Sequence, residues 1–104
     1  MIAITREDNR AVIRPAEANI VAASIPELRS KMRGILQEGV RELVLDLTDV
    51  HMVDSSGIGL LIATANSLAR SGGRVRVTNV CPDIFRLLQS MRLTGRLNVT
   101  QKAA

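Results

Sequence analysis

LVLDLTDVHMVDSSGIGLL, residues 43–61, is the part of the sequence that best predicts both the fold and the candidate site. Its first residues, Leu43–Leu47, are apolar apart from Asp46 and have the length of a buried strand. Its last residues, beginning at Asp54, place an acid, two hydroxyls and two glycines where a helical apolar stripe starts. We therefore predict a strand, a loop and a helix, with the polar residues at the start of the helix.

The residues before this stretch predict a hairpin, an extended segment and a helix. Short, partly β-branched runs at Ile2–Thr5 and Ala11–Arg14 flank a turn-rich segment, which is typical of a β-hairpin. Asn19–Ala22 follows as an extended segment. Ser24 and Glu27 have the spacing of a capping box, so we expect them to begin the first helix.

The rest of the chain alternates between helices and strands. The first helix ends at Gly39, and a second is expected from about Ser56 to Ser71. A strand at Val75–Val80, a third helix at Pro82–Met91 and a last strand at Leu97–Thr100 complete the pattern. Such alternation gives a parallel sheet with right-handed crossovers. We predict a single α/β domain over residues 1–104, with a mostly parallel mixed sheet extended by an antiparallel N-terminal hairpin.

The composition argues against an enzyme, a metal site and a nucleic-acid platform. The 104 residues include no Trp or Tyr, and Phe85, His51 and Cys81 are each the single residue of their type. Zinc cages need three or four His or Cys ligands, and His-dependent catalysis would have to use His51. One aromatic side chain cannot stack successive bases. We expect no catalytic residue, no metal, no cofactor and no direct nucleic-acid contact.

Charge and hydropathy bear on partners and location. The net charge is +4, with −2 in residues 1–54 and +6 in residues 55–104. A basic half can attract an acidic partner, although scattered arginines also suit a solvated surface. No apolar run has the length of a signal peptide or of a membrane span. With a lone cysteine as well, we expect a cytoplasmic protein without membrane insertion.

Two interpretations of the segment at residues 54–59 remain open from residue types alone. The glycines Gly57 and Gly59 leave room for another molecule to approach Ser55 and Ser56, beside backbone N–H groups that favour an anion. Alternatively, Asp54 or Ser55 caps the helix, and the glycines allow tight packing on a strand.

This segment resembles the central signature of the STAS domain, in the type found in bacterial anti-sigma factor antagonists. The resemblance is carried by VLDLTDV at residues 44–50 and DSSGIGLL at residues 54–61, and it continues through GGRV at 72–75, NV at 79–80, LL at 87–88 and LTG at 93–95. It implies a mixed sheet with helices on one side.

The resemblance also implies a phosphorylation switch. The unphosphorylated antagonist binds an anti-sigma factor that is a serine kinase and thereby frees the sigma factor, and a serine phosphatase resets it. Ser56 is the implied phosphorylation site, with Ser55 as second choice. The implied partner-binding residues are Asp54, Ser55, Ser56, Gly57, Ile58 and Gly59. The alternative is a non-enzymatic STAS subunit of a lipid-transport complex or a stress-signalling scaffold.

Three further residues have simpler structural interpretations. Asp46 is expected to cap the turn after its strand, although it could instead position Ser56 or a phosphatase metal. His51 is expected at a strand end, and Cys81 as a small buried residue or weak cap, with redox sensing as its alternative. Val21 and Cys81 are the departures from the family pattern, which has an acid and a small polar cap there.

Overall fold

Three helices and seven short strands make up the computed structural model, which describes residues 1–103. The strands are β1 (Ile2–Glu7), β2 (Arg10–Pro15), β3 (Asn19–Ile20), β4 (Glu42–Asp46), β5 (Met52–Val53), β6 (Arg74–Val80) and β7 (Val99–Gln101). The helices are α1 (Ile25–Gln37), α2 (Ser55–Arg70) and α3 (Pro82–Ser90).

Five strands form one mixed sheet in the order β1-β2-β4-β6-β7. The β1–β2 hairpin is antiparallel, and every other neighbouring pair in this sheet is parallel. The predicted α/β class and the hairpin-extended parallel sheet are therefore confirmed.

The helices pack against one face of this sheet. Ala11, Leu43 and Val75 lie opposite one another in β2, β4 and β6, and all three are buried in the core that contains the apolar sides of α1, α2 and α3. On the other face, Val44 is buried at the centre of the sheet, while Val12 and Arg76, which flank it in β2 and β6, are only partly buried. This alternation has the period of two that a sheet covered on one side requires. The expected one-sided arrangement of helices is confirmed.

The start of α1 differs from the prediction. Only Asn19–Ile20 of the expected extended segment is a strand, and Ala22–Ser24 forms a single 3-10 turn that leads into the helix. Ser24 consequently has a helical backbone conformation, whereas a capping residue needs an extended one. Its hydroxyl points backwards and accepts a hydrogen bond from the Val21 N–H at 3.2 Å. The predicted capping box is wrong.

A two-stranded parallel ladder, which the sequence did not indicate, links the entries to α1 and α2. Asn19 pairs with Met52 in this ladder, and Ile20 pairs with Val53. The Asp54 N–H donates to the Ile20 carbonyl at 3.0 Å, which continues the ladder up to the residue that caps α2. The ladder therefore sets the start of α2 directly beside the turn that precedes α1.

The two glycines of α2 have different surroundings. Gly57 is buried under the ladder, where an added Cβ would overlap Val53 Cγ1 and lie 3.1 Å from Ile20 Cγ2. Gly59 is exposed, and an added Cβ there would meet no atom within 4 Å. Tight packing therefore explains Gly57 and leaves Gly59 without a packing role.

Asp46, at the end of β4, holds the next turn and the neighbouring strand. Its Oδ1 accepts hydrogen bonds from the Thr48 N–H at 3.0 Å, from the Thr48 hydroxyl, and from Asn79 Nδ2 at 3.0 Å. Partial burial favours the neutral acid, but the bonds from Thr48 and Asn79 outweigh it and hold the pKa of Asp46 below its ordinary value. The expected turn-capping role of Asp46 is confirmed.

The glycines yield a matched test of packing. We expect Gly57→Ala to lower the free energy of unfolding by about 1–3 kcal/mol, because the methyl group overpacks the ladder. We expect Gly59→Ala to raise it by up to about 1 kcal/mol, because alanine is the better helix former and has open space here. Urea unfolding followed by circular dichroism measures both, and equal stabilities of the two variants would contradict the assigned roles.

Asp46 yields a pH-dependent prediction. Because its folded-state pKa is lowered, its stabilisation is complete above the pKa of the unfolded chain and is lost as pH falls through the folded-state value. At pH 7, Asp46→Asn should cost about 1 kcal/mol through the weaker bonds to Thr48 and Asn79. Urea unfolding of both proteins should show the difference shrinking between about pH 5 and pH 2.

The control is Asp49→Asn, which removes a carboxylate that is 42% exposed and paired with Arg14 at 3.1 Å. Exposed pairs of this kind contribute little, so the loss should stay within about 0.5 kcal/mol. The stabilising role of the Asp46 bonds to Thr48 and Asn79 would be contradicted in two cases. The first is a loss of stability in Asp46→Asn no larger than in Asp49→Asn, and the second is a loss that persists unchanged at pH 2.

Candidate functional site

The Asp54 carboxylate organises the segment that contains the two serines. Its Oδ1 accepts hydrogen bonds from the Ser56 N–H at 2.9 Å and the Gly57 N–H at 3.1 Å, and its backbone is extended as a capping residue requires. Its Oδ2 accepts from the Ala22 N–H at 3.2 Å. Of the two caps left open by the sequence, Asp54 is the correct one, and it also joins the entries of both helices.

The hydroxyls of Ser55 and Ser56 are accessible and unengaged. Both side chains are exposed in the first turn of α2. Among the hydrogen bonds within residues 1–103, none uses either hydroxyl, in contrast to Thr64, whose hydroxyl donates to the Leu60 carbonyl at 2.8 Å. Each hydroxyl is therefore free to accept a covalent group or to meet a partner.

Two clefts flank this first turn. The α1–α2 cleft, about 380 Å³, is lined on the α1 side by Ala22, Ile25, Pro26 and Arg29, and on the α2 side by Ser55, Ser56, Gly59 and Leu60. The α2–α3 cleft, about 480 Å³, is lined by Val53, Asp54, Ser55, Ile58, Gly59, Ile62, Leu87 and Met91. Ser55 and Gly59 border both clefts, whereas Ser56 borders only the first.

The six predicted partner-binding residues occupy three kinds of position. Ser55, Ser56 and Gly59 are exposed on the ridge between the clefts, and Asp54 is half-buried as the cap. Gly57 is buried under the ladder, and Ile58 is buried at the floor of the α2–α3 cleft. The exposed residues can touch a partner directly, while the buried ones shape the ridge from below.

The single histidine and the single cysteine, His51 and Cys81, lie outside the ridge. His51 is exposed just before β5, and its carbonyl accepts a weak S–H bond from Cys81 at 3.7 Å. Cys81 precedes α3 and makes no side-chain capping bond. Within residues 1–103, no three His, Cys, Asp or Glu side chains are grouped closely enough to hold a metal ion.

The sequence did not identify three residues that line the clefts. Leu87 and Met91 share a helical spacing with Ile84 and Leu88, which predicts a buried stripe on the third helix, but they are 39% and 46% exposed and line the α2–α3 cleft. That part of the prediction is wrong, because α3 buries only Ile84 and Leu88. Arg29 lines the α1–α2 cleft only because α1 packs beside α2, and no local pattern signals such a contact between helices.

No helix within residues 1–103 has the length and apolar character that a bilayer span requires.

Comparisons with known proteins agree with this architecture. The chain is 28% identical over 80 residues to an anti-sigma-B factor antagonist of Bacillus subtilis, an alignment covering 77% of this chain and 72% of the relative. An anti-sigma factor antagonist from Mycobacterium paratuberculosis superposes with a TM-score of 0.82 at 21% identity, over 95% of this chain and 83% of the other. The Bacillus cell fate determinant SpoIIAA in its phosphorylated form superposes with a TM-score of 0.78 at 19% identity, over 99% and 92% of the two chains.

The family model of the STAS domain matches residues 2–103, which include every strand and helix described above. The chain belongs to the STAS domain family.

Proposed function

We propose that this STAS domain is an anti-sigma factor antagonist of the bacterial cytoplasm that is switched by phosphorylation of Ser56. In its unphosphorylated form it binds an anti-sigma factor serine kinase, which releases the sigma factor. Phosphorylation ends that binding, and a serine phosphatase restores it. The observation that carries the proposal is the exposed, unengaged hydroxyl of Ser56 on a ridge held by Asp54, between two open clefts. The names of the relatives and the phosphorylated SpoIIAA structure support it.

The geometry favours Ser56 over Ser55 as the phosphate acceptor. Ser55 borders the α2–α3 cleft, whose wall is mainly apolar, so a phosphate there would lie against side chains that cannot solvate it. Ser56 lies on the side away from that cleft, in the first turn of α2, where a negative charge is favoured by the helix dipole.

The proposed role is binding rather than catalysis. The ridge offers hydroxyls and a glycine but no base within hydrogen-bond reach of either serine, and the two carboxylate oxygens of Asp54 are occupied by backbone N–H groups. A partner enzyme would therefore supply the chemistry, and the ridge would supply the acceptor and the docking surface.

Mass spectrometry after incubation with the cognate kinase and ATP tests the acceptor. We expect one phosphate on Ser56, no incorporation in Ser56→Ala, and undiminished incorporation in Ser55→Ala. A phosphate on Ser55 would move the acceptor by one residue and leave the function intact. No incorporation by any anti-sigma factor kinase of the organism would favour the alternative role described below.

Calorimetric titration against the kinase tests the switch. A phosphate buried against a surface built for a neutral hydroxyl costs about 3–5 kcal/mol, or about two to three and a half decades in affinity. Ser56→Asp should lose part of that affinity, and Ser56→Ala should bind as well as the unphosphorylated wild type. Affinities within about threefold for wild type, phosphorylated wild type and Ser56→Asp would contradict gating by this residue.

The apolar α2–α3 cleft supports one alternative, a non-enzymatic STAS subunit of a lipid-transport complex or stress-signalling scaffold. Leu87 and Met91 expose apolar surface there, on the side of the ridge that Ser56 does not border. A constitutive subunit contact would use that surface and would be indifferent to phosphate on Ser56.

A further inference from the structure

Arg29 lies across the α1–α2 cleft from Ser56. It is exposed in the second turn of α1, and it is the only charged residue among those lining this cleft. The cleft wall continues one turn further to Arg33, which lines the adjoining groove together with Arg29. The side of α1 that faces α2 therefore has positive charge and no negative charge.

Arg29 has no carboxylate to pair with. Five arginines of residues 1–103 form ion pairs, namely Arg6, Arg10, Arg14, Arg74 and Arg86, and Arg29 is not among them. The positions three and four residues away on α1, which are the neighbours on a helix surface, are Ile25, Pro26, Met32 and Arg33. Neither the helix nor the rest of the described chain neutralises this guanidinium.

The cleft has room for the guanidinium beside Ser56. Gly59 follows Ser56 by three residues, on the same side of α2, and borders the cleft without a side chain. Space around it is open, since even an added Cβ would have no neighbour within 4 Å. An arginine side chain from α1 can therefore extend over Gly59 towards the serine.

We infer that Arg29 is the phosphate-binding residue of the switch, its guanidinium crossing the α1–α2 cleft to pair with the phosphate on Ser56. The inference rests on the proposed phosphorylation of Ser56. Guanidinium and phosphate form paired, charge-assisted N–H···O bonds, which a lysine cannot reproduce in the same geometry. The modified chain then differs from the unmodified one in two ways: the ridge gains negative charge, and the cleft is closed by Arg29.

Phosphorus NMR of protein with phosphoserine genetically encoded at position 56 tests this pair. A nearby cation favours the dianionic phosphate and lowers its pKa, which is ordinarily near 6. Arg29→Gln should therefore raise the phosphate pKa by about 0.5 relative to the otherwise identical wild type, as expected for losing an exposed but well-matched ion pair. Arg29→Lys should give an intermediate value.

Arg33→Gln is the matched control, because it removes the same charge from the same wall of α1, one turn further from Ser56. It should shift the phosphate pKa by less than about a third of the Arg29→Gln shift. Equal values in wild type and Arg29→Gln would overturn the inference. Equal rises in both variants would overturn it too, since they would indicate the summed field of α1 rather than a contact.

Encoding the phosphoserine separates this inference from the proposed function. A kinase that fails to modify Ser56 would count against the proposed function and would leave the titration result standing. Conversely, a phosphate insensitive to Arg29 on a protein that the kinase does modify would count against the Arg29 contact alone.

Discussion

The site depends on one carboxylate, that of Asp54, which accepts hydrogen bonds from three backbone N–H groups. Asp54 takes two of them from the first turn of α2 and the third from Ala22, in the turn that leads into α1. The side chain therefore acts as a cap for one helix and as a link to the start of another. Losing this carboxylate would remove the hydrogen-bond acceptor from both helix entries, and it would leave the N–H of the buried Gly57 without its partner.

The two interpretations of the glycine-rich segment turn out to apply to different residues. Gly57 is required by packing, because the β3–β5 ladder approaches too closely for a side chain. Gly59 is free of any such demand and lies on the ridge between the clefts. The buried Gly57 thus belongs to the packed scaffold, and Gly59, two residues later, belongs to the accessible surface above it.

The sequence predicted the main sheet and the three helices because their signals are local. Apolar periodicity, the glycine stops and the run at Leu43–Leu47 each depend on residues a few positions apart. The start of α1 and the β3–β5 ladder were missed because they depend on contacts more than thirty residues apart, such as the pairing of Ile20 with Val53. A two-residue strand such as Met52–Val53 is too short for any alternation to be visible.

The polar residues of the candidate site could be predicted from the sequence, but the residues that line the clefts around them could not. The acid, hydroxyls and glycines stand together in the chain, so the resemblance to STAS domains located them. Arg29, Leu87 and Met91 reach the same place from α1 and α3, and only the packing of those helices against α2 brings them there. Leu87 also shows why an apolar stripe overestimates burial, since α3 covers the end of the core with a narrower face than its sequence offers.

The ladder that positions the ridge has a consequence for the order of folding. It joins residues 19–20 to residues 52–53, and Asp54 reaches across the same gap to Ala22, so the chain must close a loop of about thirty residues before the ridge exists. That loop contains α1 and β4, so the entropy lost in closing it is offset only when these elements pack. A nascent or partly unfolded chain presents Ser56 only on flexible backbone, so an enzyme that recognises the ridge would act selectively on molecules that have completed folding.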